Sequence, residues 1–448
     1  MAKYRGIARQ RTNGVEIWSC VFIAVNLLFT GFEGYANIGQ SKFVMVYILT
    51  LPFLMLGIYC LIRERKARKL SGLSPAQICA LVFLGCTLLS AAFSPVENGN
   101  PWYDAKSHEA ALTVSLYVLL FLIVSRWGAV SDKVFQVLFW SLVIFIAVCC
   151  LQLLGTNPLK LYPNDGTFYT AADKVGRTGT HLGTIGNVDI VSAFLALTAP
   201  MLLLHTRGQK PQKAWPCWVL AAACLGVMFF IKVLCGLVGL AMGALICLPV
   251  FCPDKWRKWI LLSYGVLGVG ALALFWFADL PVGFFHELHE MLHGRFQDSF
   301  GTGRIFIWRQ MLERIPKRLW FGVGPDMVRY SGLDPFVRYD ELGNVVYNAQ
   351  GVAVKTNLTD AHCYPLQILY CQGLPALLSW LGAVGFTLSH WVKYRRDRAA
   401  AILGGGLACF LCAMLFCISS VIIMSFFWLT LGLLEARASA LRAETSAK

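Results

Sequence analysis

WILLSYGVLGVGALALFWF (Trp259–Phe277) is an unbroken run of uncharged, mostly apolar residues. Lys255, Arg257 and Lys258 lie on one flank. On the other, a polar stretch begins at Ala278, and no comparable apolar run returns until Pro365. As a helix rising 1.5 Å per residue, such a run crosses the roughly 30 Å hydrocarbon core of a bilayer. Lipid offers the backbone no hydrogen-bond partner, so a helix that satisfies its own amides is the form it must take. The basic flank carries an orientation signal, and the long polar stretch is the natural place to look for function.

Working outward, runs of similar length recur along the chain, at 16–32, 43–62, 76–94, 110–125, 134–154, 188–204, 214–231, 235–251, 365–389, 399–417 and 419–436. Hydrophobic residues make up 57% of the 448 and charged residues 14%, with a mean hydropathy of +0.61. That balance excludes a string of soluble domains, and the alternation expected of a membrane β-barrel is absent. The expected fold is all-α: a polytopic transmembrane bundle of about twelve spans with a large extracytoplasmic loop between spans nine and ten. Residues 1–277 hold spans one to nine and residues 278–364 the loop. Residues 365–448 hold spans ten to twelve and a cytoplasmic tail. A connection as long as 278–364 is functional or disordered, and its mix of Trp, Phe, Gly, Pro and charge points to a folded cap.

The net charge of +15 raises the question of nucleic acid, but the cations sit in short clusters between apolar runs. Five such clusters (Lys3 to Arg11, Arg63 to Lys69, Arg207 to Lys213, Lys255 to Lys258 and Lys393 to Arg398) fall on one side of a twelve-span chain. By the positive-inside rule both termini are then cytoplasmic, and no nucleic-acid partner is expected. A cleaved leader at the first apolar stretch would leave an odd span count, which fits the clusters less well. Most of the sixteen cysteines lie within apolar runs, and none lies between Ala278 and Ala361. No Cys, His or carboxylate spacing suggests a metal, so neither metal nor cofactor is expected.

Ionisable residues are nearly missing from the middle of the spans. Lys232, Asp189 and Glu435 all sit near span ends, so chemistry is expected at the outer face. Three segments there could carry it. In Ser299-Phe300-Gly301-Thr302-Gly303-Arg304 the apolar residues that follow recur at helical spacing up to Pro316. Thr302 is the expected N-cap. Arg304 falls in the first turn beside Gly301, Gly303 and free backbone N–H groups, a combination suited to phosphate. Taken alone, the segment reads more readily as a capped surface helix with a solvated arginine, because short Gly-x-Gly patterns are weak signals. His362, in Asp360-Ala361-His362-Cys363-Tyr364-Pro365, falls in the turn that enters span ten, where a histidine serves as base, as phosphate ligand or simply as an interfacial side chain. Arg177 lies among the small and hydroxylic residues of Gly176 to Asn187, which form either an anion cradle or a flexible loop.

Together these pieces resemble the O-antigen ligase and O-antigen polymerase superfamily of bacterial envelopes. The likeness rests on the topology and on motifs at roughly 176–196 and 301–380. Gly303-Arg304 through Trp308, then Pro316 and Phe321-Gly322-Val323-Gly324, are similar to the family's loop signature. His362, Leu366-Gln367 and Gly373-Leu374-Pro375-Ala376 are similar to its motif entering the next span, and Gly179-Thr180 with Gly186-Asn187 to an earlier loop. Trp308 stands where the family commonly has Leu, Cys363 where it has a small amide, and Ala376 where a glycine is expected.

The resemblance implies transfer of a glycan from undecaprenyl pyrophosphate to an acceptor hydroxyl at the outer face of the bacterial inner membrane. The acceptor would be a glycan, a lipid or a cell-wall polymer, and no metal or cofactor is needed. Arg177 and Arg304 would grip the pyrophosphate and His362 would serve the acceptor hydroxyl or the leaving group, while membrane lipids surround the spans. A repeat-unit polymerase of the same superfamily is the alternative within the class. A lipid-linked-glycan flippase or transporter is the alternative outside it, and it requires polar spans or repeated halves that the chain lacks. A structural scaffold would make the loop arginines dispensable.

Overall fold

The computed structural model describes residues 13–66, 72–103, 108–162, 181–279, 283–337, 344–348 and 350–446. In chain order the helices up to the first hairpin are α1 (Gly14–Leu28), α2 (Ile38–Lys66), α3 (Pro75–Ala92), α4 (Ala111–Trp127) and α5 (Asp132–Leu153). After β1 (His181–Leu182) and β2 (Gly186–Asn187) come α6 (Val188–His205), α7 (Pro211–Phe230), α8 (Leu234–Phe251) and α9 (Asp254–Phe277). Next are α10 (Gly283–Leu292), α11 (Arg304–Arg314), β3 (Phe336–Val337) and β4 (Lys355–Thr356). The chain closes with α12 (Tyr364–Gln372), α13 (Leu374–Lys393), α14 (Arg398–Ala413) and α15 (Val421–Ser446). Both strand pairs are antiparallel, with His181 opposite Asn187 and Phe336 opposite Thr356. Among the described residues eight helices are long and apolar enough to cross a membrane, and α1, α4 and α14 are shorter apolar helices.

The helices begin where side chains can satisfy the first-turn amides. Ser74 and Gln77 close a reciprocal capping box at α3, and Asn13 and Asn187 cap α1 and α6. The centre of the bundle is α15, whose apolar segment is wholly buried. It packs against α4, α13 and α14, with further contacts to α1, α2 and α6. Gly239 and Gly243 of α8 sit directly on Ala413 and Cys409 of α14, where a Cβ would collide. Small residues at such a crossing let two apolar helices approach closely in lipid. By contrast α9, the most evident apolar run in the sequence, buries no side chain and packs on α8 and α10 at the edge of the bundle.

One end of the bundle is laced by ion pairs. Arg126 meets Glu64 at 3.0 Å, Arg395 meets Asp254 at 3.2 Å and Arg437 meets Asp397 at 2.7 Å. These are the helix ends that carry the basic clusters. The opposite end carries the hairpins, α11 and the long connection between α9 and α12.

Two sequence expectations change. The apolar stretch 365–389 is two helices, because Gly373 breaks it at a φ of 88°. A Cβ there would run into the Trp320 carbonyl, and one at Gly322 would run into Cys371. Val323 N–H donates to Tyr370 O (3.1 Å), Gly324 N–H to Cys371 O (2.8 Å) and Leu374 N–H to Leu319 O (2.7 Å). The two glycine motifs are therefore one interlocking joint, which anchors the long connection to the bundle. Buried charge is also commoner than the apolar runs suggest. Lys42 is fully buried and donates to the carbonyls of Asn26 and Leu27 in the last turn of α1, where the helix dipole favours a cation.

Candidate active site

Arg304 is the first residue of α11. The N-cap is Gly303, in the left-handed region at φ 88°, rather than Thr302 as the sequence suggests. A Cβ at Gly303 would strike the ring of Phe336, so the position is closed to every other residue on two counts. Thr302 also has a positive φ, of 57°. Its hydroxyl donates to Gly301 O at 2.6 Å and accepts from Arg304 Nη1 at 2.8 Å.

The backbone N–H groups of Gly301 and Gly303 are occupied. Gly301 donates to Glu287 Oε2 at 3.0 Å, and Gly303 donates to Ser299 O and Phe300 O. The loop thus acts on the guanidinium. Arg304 Nη1 also donates to Gly301 O at 2.8 Å and Nη2 to Phe416 O at 3.0 Å. Its Nε–H is buried with no hydrogen-bond partner among the described residues, a donor held in place and unsatisfied.

Below Arg304, Ile307, Met311 and Ile315 bury one face of α11 against Val323, Met327 and Leu358. This small core also includes Ala361, Tyr370 and Cys371, so it joins the long connection to the start of α12. Trp308 Nε1 donates to Ala361 O at 2.8 Å, and Ala361 N–H donates to Gln367 Oε1 at 2.8 Å. Both backbone groups of the residue before His362 are clamped.

His362 itself has a φ of 49°, a conformation unusual for a residue with a Cβ. Its N–H donates to Asp360 Oδ1 at 2.6 Å. The other carboxylate oxygen, Oδ2, accepts from the N–H and hydroxyl of Ser419, at 3.2 and 3.0 Å. Burial pushes the Asp360 carboxyl up, while His362 and the Ser419 hydrogen bonds pull it down. Burial likewise pushes the His362 imidazole below its ordinary value. Asp360 and Asp189 raise it, and Arg304 lowers it further. The charges of Asp360, Arg304 and Asp189 thus converge on His362, and burial favours the neutral ring.

Asp189 lies in the first turn of α6, behind the Asn187 cap. Its carbonyl accepts from the thiols of Cys417 (3.5 Å) and Cys235 (3.8 Å). The turn joining α14 to α15 therefore reaches several parts of the site. Phe416 holds Arg304, Cys417 holds Asp189 and Ser419 holds Asp360, while Met414 O accepts from Tyr364 N–H at 2.8 Å.

Residues 219–381 match the O-antigen ligase family model. That stretch of the chain is similar to an O-antigen ligase domain. A search among curated proteins gives no match. The likeness supports ligase- or polymerase-type glycosyl transfer in general, and together with the apolar helices it supports a multi-pass protein of the bacterial inner membrane. The matched stretch contains Arg304, Trp308, His362 and the interlocking glycines. It does not reach Asp189 or the turn at 414–420.

Of the residues singled out in the sequence, the structure brings Arg304 and His362 together, with Gly301 and Gly303 shaping the arginine's turn. Arg177 lies outside the described residues. Asp360, Asp189 and Ser419 are the additions. Asp360 stood in the quoted motif and Asp189 stood behind a capping Asn, but nothing local tied either to Arg304. Ser419 and Phe416 carried no sequence signal.

Proposed function

We propose that this chain transfers a glycan from undecaprenyl pyrophosphate to a sugar hydroxyl at the outer face of the membrane. In this reading Arg304, joined by Arg177, grips the pyrophosphate, and His362 receives the acceptor proton. The observation that carries it is the pairing of an arginine held by three hydrogen bonds, with its buried Nε–H unpartnered among the described residues, and an imidazole that burial pushes toward its neutral form.

The acceptor O–H gives its proton to the free imidazole nitrogen. The acceptor oxygen bonds the anomeric carbon as the bond from that carbon to the pyrophosphate oxygen breaks, and the leaving group departs with the electron pair. Charge grows on the pyrophosphate as it leaves, and a fixed guanidinium stabilises it more than water would because nothing need reorganise. Asp360 and Asp189 are placed to favour the imidazolium that forms. With permanent cations in this role the reaction needs no divalent metal, and transfer should survive excess chelator.

The test measures donor binding and transfer in the full chain. Arg304→Lys keeps the charge but loses the planar fork, so donor binding should weaken. His362→Ala should bind donor and lose about 10²–10⁴ in turnover, as general bases do. Wild-type binding and turnover in both Arg304→Ala and Arg177→Ala would overturn the reading.

A further inference from the structure

A second basic hollow lies at the same end of the bundle. Its walls are the segment after α3, at 95–98, and the turn Ile315–Arg318 that continues α11. Its volume is about 630 Å³, within the range of ligand sites. Arg314, Lys317 and Arg318 line it together with Tyr330 and one carboxylate, Glu97.

The walls are fixed. Arg314 Nη1 donates to Ser331 O at 3.1 Å, Tyr370 OH to Ser331 Oγ at 2.9 Å and Ser94 Oγ to Val323 O at 2.7 Å. None of the three cations is in a salt bridge among the described residues. Glu97 is the one carboxylate among the lining residues, so the hollow carries an excess of positive charge that suits an anion. Arg314 stands ten residues along α11 from Arg304, about 15 Å at the helical rise. One pyrophosphate cannot reach both, so this is a separate site.

What the anion is attached to follows from the other side of the same turn. Lys317 and Arg318 also line an adjoining hollow of about 380 Å³, whose remaining walls include Phe93, Trp320 and Phe321. These rings are 59%, 65% and 41% exposed, and Phe93 and Phe321 lie 5.0 Å apart between centroids. They sit just past the end of the membrane-length helix α3, the level at which aromatic side chains meet headgroups and chain ends. Cations above and aromatic rings beside them match an amphiphile whose headgroup is anionic.

We infer that this double hollow seats the phosphate headgroup of a membrane amphiphile, with Lys317 and Arg318 on the phosphate and Trp320 and Phe321 against the start of its chains. The inference does not rest on the transfer reading, because its ligand and its residues are different.

Native mass spectrometry of the full chain tests it, with dioleoyl phosphatidic acid, dioleoyl phosphatidylcholine and soluble glycerol 3-phosphate as probes. The wild-type chain should retain one more phosphatidic acid than Lys317→Gln/Arg318→Gln, with at least tenfold tighter binding at that site, and equal phosphatidylcholine. Lys317→Arg/Arg318→Lys should retain the lipid. Trp320→Ala should weaken phosphatidic acid binding severalfold, and equimolar glycerol 3-phosphate should not displace the lipid. Both cations are exposed, so the variants should fold, which an unchanged melting temperature confirms. Equal phosphatidic acid retention by wild type and the double Gln variant would overturn the proposal. Displacement by glycerol 3-phosphate would overturn it too, by showing a site for a soluble phosphate.

Discussion

The indole Nε1 of Trp308 donates to the carbonyl of Ala361 at 2.8 Å, tying the helix that starts with Arg304 to the residue just before His362. Ala361 is fully buried, so its carbonyl has no water to fall back on. Trp308→Phe keeps a ring but removes the donor. Leaving a buried carbonyl unsatisfied costs about 1–3 kcal/mol. The expected outcome is a lower melting temperature in detergent and a turnover loss larger than any loss of donor binding, since Arg304 keeps its own three bonds. Unchanged turnover would show that this tie does not position His362.

Gly303→Ala attacks the other side of the same geometry. The residue would have to hold a φ of 88°, at about 1–2 kcal/mol for an L-residue, and push Phe336 away. Donor binding should fall at least as far as in Arg304→Lys. Gly301→Ala should be milder in packing, because its Cβ would meet only Arg304 Cβ at 3.5 Å. Comparing donor affinity in the two variants checks the ranking.

Acidity offers a third check. The imidazole of His362 is held below its ordinary value of about 6.5. Its neutral form is the one that accepts a proton. kcat/KM should thus be flat through neutral pH and fall only on acidification, with a midpoint below about 6.5. The stability sign agrees. On acidification the unfolded chain takes up this proton first, so stability is lost as pH falls from about 6.5 through the folded value. Asp360 has the opposite sign: its carboxyl is raised, so its burial costs stability as pH rises through that raised value. Asp360 pulls the His362 value up, so Asp360→Asn should move the acid limb of the rate profile to lower pH. A limb that stays put or moves up would contradict the electrostatic coupling.

Orientation is open to direct test. The ion-paired end of the bundle carries Arg126, Arg395 and Arg437, and the basic clusters predict that it faces the cytoplasm. Reporter fusions after Arg68 and Lys213 should read cytoplasmic, and fusions within 330–350 should read outside. A cytoplasmic signal from 330–350 would remove the basis for transfer at the outer face.

Some of this site was legible in the sequence, and the residues that were not share a reason. Arg304 stands out because glycines and a helical apolar period surround it. His362 stands out because it meets the start of an apolar run. The hydrogen-bond partners that hold the site together are remote: Phe416 is 112 residues from Arg304, and Ser419 is 59 from Asp360. The glycines of Phe321-Gly322-Val323-Gly324 and Gly373 were visible as motifs, yet their use as one joint follows only from the backbone approach between them. Thr302 misled for a local reason: a hydroxyl before a helix normally caps it, but here that hydroxyl is spent on Gly301 and Arg304.

Hydropathy by itself determined that this chain is a helical membrane protein, because lipid imposes its demand on each contiguous segment separately. A run such as Trp259–Phe277 must be helical whatever surrounds it. Basic clusters likewise act on the nearest span ends, so the charge pattern along the chain carries the expected orientation. Only the tertiary structure decided that Arg304, His362, Asp360 and Asp189 are neighbours, and that the turn at 414–420 bonds to Arg304, Asp360 and Asp189. That arrangement depends on α14 and α15 packing through the middle of the bundle and delivering their shared turn beneath α11. Where two distant segments meet is set by how whole helices fit together, and no short stretch of residues records it.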